Sequence, residues 1–317
     1  MESRPLIILS GATAVGKTDL SIALAKCIGG EIISADSMQV YRGMDIGTAK
    51  ILPDQMDGVR HYLIDEFDPE EAFNVYEFQR RARGYIDDIL TRGKIPIIVG
   101  GTGFYIQSVL YGIEFTESET DLAYRKDMER IAREQGPEVL HRMLAEVDPD
   151  AAAQIHANNV KRVVRALEFY HETQTPISRH NEEQRARISP YRYAYFVLNR
   201  DRAVIYDRIN LRVDQMIEEG LVEEVKGLLE RGVDPDCLSM QGLGYKEIIA
   251  YLNGGMTLDE AVDLLKKSTR HFAKRQLTWF RREKNVIWMN YGDYSSNEEM
   301  LSKMMEILKE KQIVPIS

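Results

Sequence analysis

The sequence predicts an α/β fold built on a mostly parallel sheet, with a helical domain inserted into it. Short apolar runs alternate with amphipathic segments of helical period in residues 1–115 and 190–317, the order typical of strands joined by crossover helices. Residues 116–189 carry no strand signal and are charged and helical, with Gly-Pro, Asp-Pro and Thr-Pro turn signals. We therefore expect an α/β core, 1–115 with 190–317, and a helical insertion domain, 116–189.

Composition and charge narrow the classes of protein that fit. Of the 317 residues, 44% are hydrophobic and 29% are charged, and the net charge is −9, as in soluble globular proteins. The negative charge disfavours indiscriminate binding to nucleic acid, so any such partner must meet local basic patches. No apolar run is long enough to span a membrane, and a strand beginning near residue 4 leaves no room for a signal peptide. We expect a cytoplasmic protein.

The two cysteines, Cys27 and Cys237, form no C-x-x-C pair. This excludes a zinc finger and disfavours a disulfide framework. Cys27 falls in a predicted helix, where we expect it to be part of the core.

A glycine-rich turn near the N-terminus carries the strongest functional signal. It lies between a strand predicted over residues 4–10 and a helix predicted over residues 19–26, and it fits the phosphate-loop pattern G-x-x-x-x-G-K-[ST]. Backbone N–H groups and the helix N-terminus would face one anion, Lys17 adds positive charge, and the Thr18 hydroxyl suits Mg²⁺. This predicts a P-loop NTPase-like core. The residues expected to bind a polyphosphate are Gly11, Thr13, Ala14, Val15, Gly16, Lys17 and Thr18.

A carboxylate follows the next predicted strand, residues 31–35. Ligands of parallel α/β sheets bind at the carboxyl ends of the strands, so Asp36 should share a crevice with Lys17. The residues alone leave three roles open for Asp36: a carboxylate near Mg²⁺, a general base, or a solvated loop acid.

The strand predicted over residues 94–99 ends in Gly100, Gly101 and Thr102. A P-loop hydrolase usually has an acid there, which holds Mg²⁺ and positions water. Glycines instead let the backbone approach a ligand closely, and Thr102 offers a hydroxyl to phosphate oxygens or caps a helix. The site is therefore better suited to holding phosphate than to activating water.

Strand runs and capping-box spacings predict the remaining elements. Strands are expected over residues 61–65, 192–198 and 286–289, and helices over residues 74–93, 205–216, 257–284 and 298–311.

Basic residues recur on three of the predicted helices. Lys161 and Arg165 lie four apart in the insertion, where they either clamp RNA phosphates or solvate the helix. Arg208 and Arg212 lie on one flank of the helix over 205–216, where an arginine either reaches a diphosphate or forms an exposed ion pair. Helix 257–284 interleaves basic residues with aromatic ones, a pattern that suits RNA, although Trp279 and the phenylalanines individually favour a core role.

Taken together, seven motifs resemble the bacterial tRNA dimethylallyltransferases, also called tRNA isopentenyltransferases. They follow the family's order over nearly the whole chain. Ala12 and Val15 stand where the family usually has Pro and Ser, and both are non-glycine positions of the loop. The motifs are residues 11–18, 36–41, 44–50, 100–105, 162–168, 244–247 and 273–281.

The resemblance implies transfer of a dimethylallyl group from dimethylallyl diphosphate to the exocyclic amine of the adenosine 3′ of the tRNA anticodon. It implies that Asp36 is the general base, that Lys17, Thr102 and Arg212 stabilise the diphosphate, and that Mg²⁺ on Thr18 is the cofactor. It also implies that the insertion grips the anticodon stem-loop. The residues expected towards tRNA are Asp36, Ser37, Met38, Gln39, Thr102, Lys161, Arg162, Arg165, Gly244, Lys246, Gln276 and Arg281.

Three other classes share parts of this pattern. A nucleotide kinase or NTPase would share the phosphate loop but would normally have the acid that is missing after Val99. A non-catalytic RNA-binding protein has no need for Lys17 and Asp36 in one crevice. A free-adenylate prenyltransferase is closer, but it would not need the insertion or the basic helix. We expect no membrane partner and a monomer.

Overall fold

The computed structural model describes residues 4–115, 122–185 and 187–315. Within them, six strands form one sheet in which every pair is parallel, which confirms the expected α/β fold class. In chain order the strands are β1 (Arg4–Gly11), β2 (Gly30–Ser34), β3 (His61–Tyr62), β4 (Ile95–Gly100), β5 (Tyr191–Asn199) and β6 (Val286–Asn290). Their order across the sheet is β3-β2-β4-β1-β5-β6.

Helices cover the sheet and build the insertion. A short 3₁₀ turn (Tyr291–Asp293) follows β6. The α-helices of the described residues are α1 (Lys17–Ile28), α2 (Val75–Thr91), α3 (Gly103–Leu110), α4 (Leu122–Gln135), α5 (Pro137–Val147), α6 (Pro149–Gln154), α7 (Val160–Thr173), α8 (Ile177–Arg185), α9 (Arg202–Glu218), α10 (Leu221–Glu230), α11 (Tyr245–Leu252), α12 (Leu258–Phe280) and α13 (Asn297–Glu310).

Strand β1 lies at the centre of the sheet between β4 and β5. Its residues Leu6, Ile7, Ile8 and Leu9 are all fully buried, so both faces of the strand are covered. This explains the unbroken apolar run in the sequence, since strands of parallel sheets are buried on both faces. On one face, apolar side chains of α1 and of the C-terminal helix α13 join the core around Ile7 and Leu9.

The chain divides into two compact units: residues up to Leu110 with those from Pro190 onwards, and Tyr111–Ser189. The described part of the second unit contains only helices, α4 to α8. Its core centres on Leu140, Leu144 and Val163. A buried carboxylate, Glu168, is paired there with Arg125, whose Nε and Nη2 lie 2.5 and 2.8 Å from its two oxygens.

The structure corrects two of the sequence expectations. The strand expected over residues 61–65 ends at Tyr62, because Leu63 and Asp65 have φ of 60° and 54°, in the left-handed region that breaks a strand. Cys27 is exposed on α1 and is not part of the core. The sequence patterns give no residue ranges for helices α3 and α10. Residues 116–121 of the expected insertion lie outside the described residues.

Gly100, the last residue of β4, provides a test of how tightly the strand ends are packed. A Cβ at this position would lie 2.2 Å from the Ala35 carbonyl oxygen. We expect Gly100→Ala to lower the free energy of unfolding by about 1–3 kcal/mol, the usual cost of overpacking. Gly84→Ala is the control, because Gly84 is exposed within α2 and a Cβ there would have no atom within 4 Å. It should raise stability by about 0.5–1 kcal/mol. Equal urea midpoints for the two variants would contradict the packing described.

Candidate active site

The phosphate loop joins β1 to α1 through backbone turns that require glycine. Gly11 has φ 148° and Gly16 has φ 104°. A Cβ on these residues would lie 2.7 Å from the Leu198 carbonyl oxygen and 2.8 Å from the Tyr291 hydroxyl, respectively. Ala14 has φ 62°, which costs a residue with a side chain about 1–2 kcal/mol. Such strain persists only where surrounding contacts hold the backbone in place.

Side chains outside the loop bind its carbonyl oxygens and supply those contacts. Arg200 directly follows β5, Tyr291 directly follows β6, and Arg208 lies on α9. The hydrogen bonds run from Arg208 Nε to Ala14 O (2.7 Å), from Arg200 Nε to Val15 O (2.9 Å) and from the Tyr291 hydroxyl to Gly16 O (3.1 Å). Since C=O and N–H point in opposite directions in a trans peptide, the N–H groups of these units face away from the three donors.

Several N–H groups of the loop are left open for a ligand. Thr13 N–H donates to Gln276 Oε1 (2.8 Å) and Val15 N–H to Ala12 O (3.3 Å). A row of free N–H groups at a helix N-terminus is an anion-binding site. The N–H groups that have no hydrogen-bond partner among the described residues are those of Ala14, Gly16, Lys17 and Thr18.

Lys17 is folded back over the loop. Its ammonium donates to the carbonyl oxygens of Gly11 (3.0 Å) and Ala12 (2.9 Å). Burial lowers the pKa of Lys17 to about 8; the charge of Asp36 opposes this shift, and that of Arg212 adds to it. Asp36 and Arg212 therefore both lie close enough to Lys17 for their charges to act on it, whereas the crevice expected to contain them stays a prediction.

Arg212 adds a second positive charge to this crevice from α9. Burial lowers the pKa of its guanidinium, and the like charge of Arg208 lowers it further. Arg212 has no hydrogen bond or ion pair within the described part of the chain. The charge of Asp19 opposes this lowering of the pKa. A partly buried cation without a direct ion pair is costly, so an anionic ligand here would be stabilised.

Asp36 and Thr102 are joined through Ala35 at the carboxyl edge of the sheet. The Thr102 N–H donates to the Ala35 carbonyl (3.2 Å). Asp36 Oδ1 accepts from the N–H groups of Met38 (2.8 Å) and Gln39 (3.3 Å), which fixes the carboxylate. No further hydrogen bond to Asp36 Oδ2 or from the Thr102 hydroxyl occurs among the described residues, so both atoms are available to a substrate.

Gln276 connects the two glycine-rich loops. Besides accepting from Thr13, its side-chain amide donates to the Gly101 carbonyl (3.0 Å), and the side chain is 7% exposed. A Cβ on Gly101 would lie 2.1 Å from this amide. The structure thus gives Gln276 a bridging role inside the protein, while the tRNA contact expected of it stays a prediction.

The Thr18 hydroxyl is suited to bind a Mg²⁺ ion that enters the site together with the substrate. Its hydroxyl makes no hydrogen bond within the described residues, and the side chain is exposed beside the free N–H groups. Mg²⁺ commonly keeps several waters and takes one or two protein oxygens plus substrate phosphates. The described residues include no group of three or more His, Cys, Asp or Glu that could hold a metal without the substrate.

The other residues expected towards tRNA lie on four segments of the chain. Ser37, Met38 and Gln39 follow Asp36 in the loop after β2, and the Gln39 amide donates to the carbonyls of Thr48 and Ala49 (both 3.2 Å). Lys161, Arg162 and Arg165 are exposed on α7, in the second unit. Gly244 and Lys246 lie at the start of α11, and Arg281 is exposed at the end of α12.

Two aromatic residues near the end of α12 have structural contacts. Phe280 is fully buried. Trp279 packs on the start of α3, where a Cβ on Gly103 would lie 2.2 Å from the indole ring. The basic residues of this helix are therefore better placed than these two aromatic side chains to meet RNA.

The structure thus combines a parallel α/β sheet, a glycine-rich loop with free N–H groups and a carboxylate at the same edge of the sheet. The IPP transferase family model matches residues 39–283. The chain is 60% identical to the tRNA dimethylallyltransferase of Lachnoclostridium phytofermentans over 311 residues, which cover 98% of this chain and 99% of that protein. The chain belongs to the IPP transferase family.

Solved structures agree with this assignment. The tRNA isopentenylpyrophosphate transferase of Bacillus halodurans matches with a TM-score of 0.74 at 46% identity, covering 98% of both chains. A eukaryotic dimethylallyltransferase acting on tRNA matches with a TM-score of 0.83 at 29% identity, covering 99% of this chain and 81% of that one.

Sequence reasoning missed Arg200 and Tyr291, which hold the loop from outside. A signal was available, because each lies two positions after the end of a predicted strand, at the sheet edge where ligand-site residues concentrate. It also missed Glu224 of α10, whose carboxylate accepts hydrogen bonds from the N–H groups of residues 45–47 and which no local pattern marks.

The lowered pKa of Lys17 predicts how diphosphate affinity depends on pH. The free protein loses the Lys17 charge as the pH rises through about 8, whereas a bound diphosphate favours the charged form. The dissociation constant for inorganic diphosphate with Mg²⁺ should therefore increase above pH 8, by up to about tenfold per pH unit. Binding at pH 9 should be accompanied by proton uptake, measured by titration calorimetry in buffers of different ionisation enthalpy.

Lys17→Ala is the control for titration of the ligand itself. The difference between wild type and this variant in proton uptake isolates the lysine. If both take up the same number of protons at pH 9, Lys17 does not titrate as described.

Proposed function

We propose that the protein is a tRNA-modifying prenyltransferase. It moves the dimethylallyl group of dimethylallyl diphosphate to the exocyclic amine of the adenosine 3′ of the tRNA anticodon and releases diphosphate. The observation that carries this proposal is a loop with four free N–H groups whose Lys17 interacts electrostatically with both Asp36 and Arg212. Membership of the IPP transferase family supports it.

The diphosphate is bound at the phosphate loop. As the bond between the allylic carbon and the bridging oxygen breaks, its electron pair leaves with the diphosphate. The free N–H groups, Lys17, Arg212 and the Thr102 hydroxyl are donors for this charge, and donors already in place lower the barrier. Mg²⁺, held by Thr18 together with the diphosphate, would supply further positive charge.

The acceptor is a weak nucleophile that needs a base. The lone pair of an adenine amine is delocalised into the ring, so the amine must lose a proton as its nitrogen binds the allylic carbon. Asp36 takes that proton. Its Oδ1 is fixed by Met38 and Gln39, and Oδ2 remains available for the amine.

The adenosine must leave its stack to reach this crevice, and an anticodon loop makes that extrusion inexpensive. Ser37 and Gln39, next to Asp36, are the proposed contacts to the base or its neighbour. Lys161, Arg162 and Arg165 are exposed on one helix of the insertion and are the proposed contacts to the stem phosphates. Arg165 also lies 3.9 Å from Glu168, while Lys161 and Arg162 have no ion pair within the described residues.

No helix among the described residues is both long and apolar enough to cross a bilayer. The monomeric state and the cytoplasmic location stay predictions.

The reaction is tested by offering competing acceptors. Purified protein, Mg²⁺ and radiolabelled dimethylallyl diphosphate are incubated with bulk bacterial tRNA, with AMP, or with neither. We expect label in tRNA and none in AMP. Label in AMP alone would assign the protein to free-nucleotide prenyl transfer. No label in either, with ATP hydrolysed in a parallel reaction, would indicate a P-loop NTPase instead.

The role of Asp36 is tested by Asp36→Asn, which keeps the shape of the side chain but removes the base. Turnover on tRNA should fall by about 10²- to 10⁴-fold, the usual contribution of a general base, whereas binding of dimethylallyl diphosphate should persist. Asp54→Asn, at an exposed position outside the site, is the matched control. Equal turnover of the two variants would show that Asp36 is not the base.

A further inference from the structure

Glu224 of α10 binds a loop, residues 45–47, that contains none of the proposed catalytic groups. Its Oε2 accepts from the N–H groups of Asp45 and Ile46, both at 2.8 Å, and its Oε1 accepts from Gly47 N–H at 3.1 Å. Oε1 also accepts from the Tyr245 hydroxyl at 2.7 Å. One carboxylate thus takes four donors, three of them successive backbone N–H groups. Successive N–H groups of this kind form a concave anion site.

The loop bound by Glu224 is a compact turn closed by its own hydrogen bonds. Lys50 N–H donates to the Asp45 carbonyl (2.9 Å), and the Thr48 hydroxyl donates to the Met44 carbonyl (2.7 Å). The Glu224 carboxylate binds the N-terminal N–H groups of this turn, as a capping residue does in a helix. The carboxylate thus adds three hydrogen bonds from outside to those that close the turn.

Two links join this turn to the Asp36 loop. The side-chain amide of Gln39 donates to the carbonyls of Thr48 and Ala49, both at 3.2 Å. The buried ammonium of Lys50 donates to the Tyr41 carbonyl at 2.6 Å. Because Gln39 N–H also donates to Asp36 Oδ1 (3.3 Å), Glu224 is connected to the carboxylate of Asp36 through a short series of direct contacts.

Packing around Glu224 leaves the two loops little freedom. A Cβ on Gly47 would lie 2.6 Å from the Tyr245 ring, and a Cβ on Gly242 would lie 2.4 Å from Met38 Cε. Tyr245 is fully buried, and its hydroxyl donates to the same Glu224 oxygen as the Gly47 N–H.

We propose that Glu224 is a positioning residue: it anchors residues 45–47 and thereby holds the Asp36–Gln39 segment in the geometry that accepts the adenosine. The proposal rests on the proposed function for its catalytic consequence. Within the described residues Glu224 makes no hydrogen bond to the phosphate loop, so diphosphate binding should not depend on it. A displacement of about 1 Å of a catalytic group lowers turnover by up to about a hundredfold.

Hydrogen exchange tests the anchor without any reference to activity. In Glu224→Gln, exchange of the Asp45, Ile46 and Gly47 amides, resolved by mass spectrometry with fragmentation, should accelerate about tenfold or more. Exchange in the phosphate loop, residues 11–18, should be unchanged. Glu223→Gln is the matched control, since Glu223 is exposed at the preceding position of the same helix. Unchanged exchange at residues 45–47 would overturn the anchor.

Steady-state kinetics test the positioning role. Glu224→Gln should lower kcat on tRNA by about tenfold to a hundredfold, with KM for dimethylallyl diphosphate unchanged, and Glu224→Asp should recover part of the loss. Wild-type kcat with accelerated exchange would overturn the positioning role.

If Glu224→Gln does not fold, Tyr245→Phe, which removes one of the four donors, should show the same changes at smaller amplitude. Its failure to change either exchange or kcat would likewise overturn the proposal.

The two proposals fail in different ways. If the wild-type protein transfers no prenyl group to tRNA, the proposed function is wrong, and exchange at residues 45–47 still decides whether Glu224 is the anchor. If the wild-type protein is active and Glu224→Gln matches Glu223→Gln in both kcat and exchange, Glu224 is not a positioning residue.

Discussion

The structure depends on the outward orientation of the carbonyl groups in the phosphate loop. Arg208, Arg200 and Tyr291 bind the carbonyl oxygens of successive residues from outside, which turns N–H groups of the loop inward. These donors come from beyond the ends of β5 and β6 and from α9, so the parallel pairing of β1, β5 and β6 must be correct before the loop can form. The anion site is thus a property of the whole sheet edge and not of eight residues alone.

The site concentrates positive charge in a protein whose net charge is −9. Lys17 and Arg212 are desolvated close to one another, and burial lowers the pKa of each. Without a ligand this arrangement is unfavourable, and the nearby Asp36 offsets only part of the cost for Lys17. A bound diphosphate would neutralise both cations, which favours tight binding of the leaving group and a crevice organised around the charge that forms on it.

Much of this could be predicted from the sequence, because local patterns determine it. The apolar runs of β1 and β4, the capping pair Thr257 and Glu260, and the phosphate-loop spacing each depend on nearby residues, and each is found in the structure. The end of β3 could not be predicted, since Leu63 adopts a left-handed conformation that its residue type disfavours. Glu224 could not be found either, because the loop that it binds lies about 180 positions away in the chain and only the fold brings the two together.

The central claim is that the phosphate loop holds a leaving group while the carbon–oxygen bond breaks, rather than a phosphate that is itself attacked. Dimethylallyl diphosphate carrying ¹⁸O at the bridging position between carbon and phosphorus tests this directly. After turnover with tRNA, mass spectrometry of the released diphosphate should find the label retained in it, because alkyl transfer cleaves the carbon–oxygen bond. Unlabelled diphosphate, with the ¹⁸O in dimethylallyl alcohol, would show cleavage at phosphorus and contradict the account.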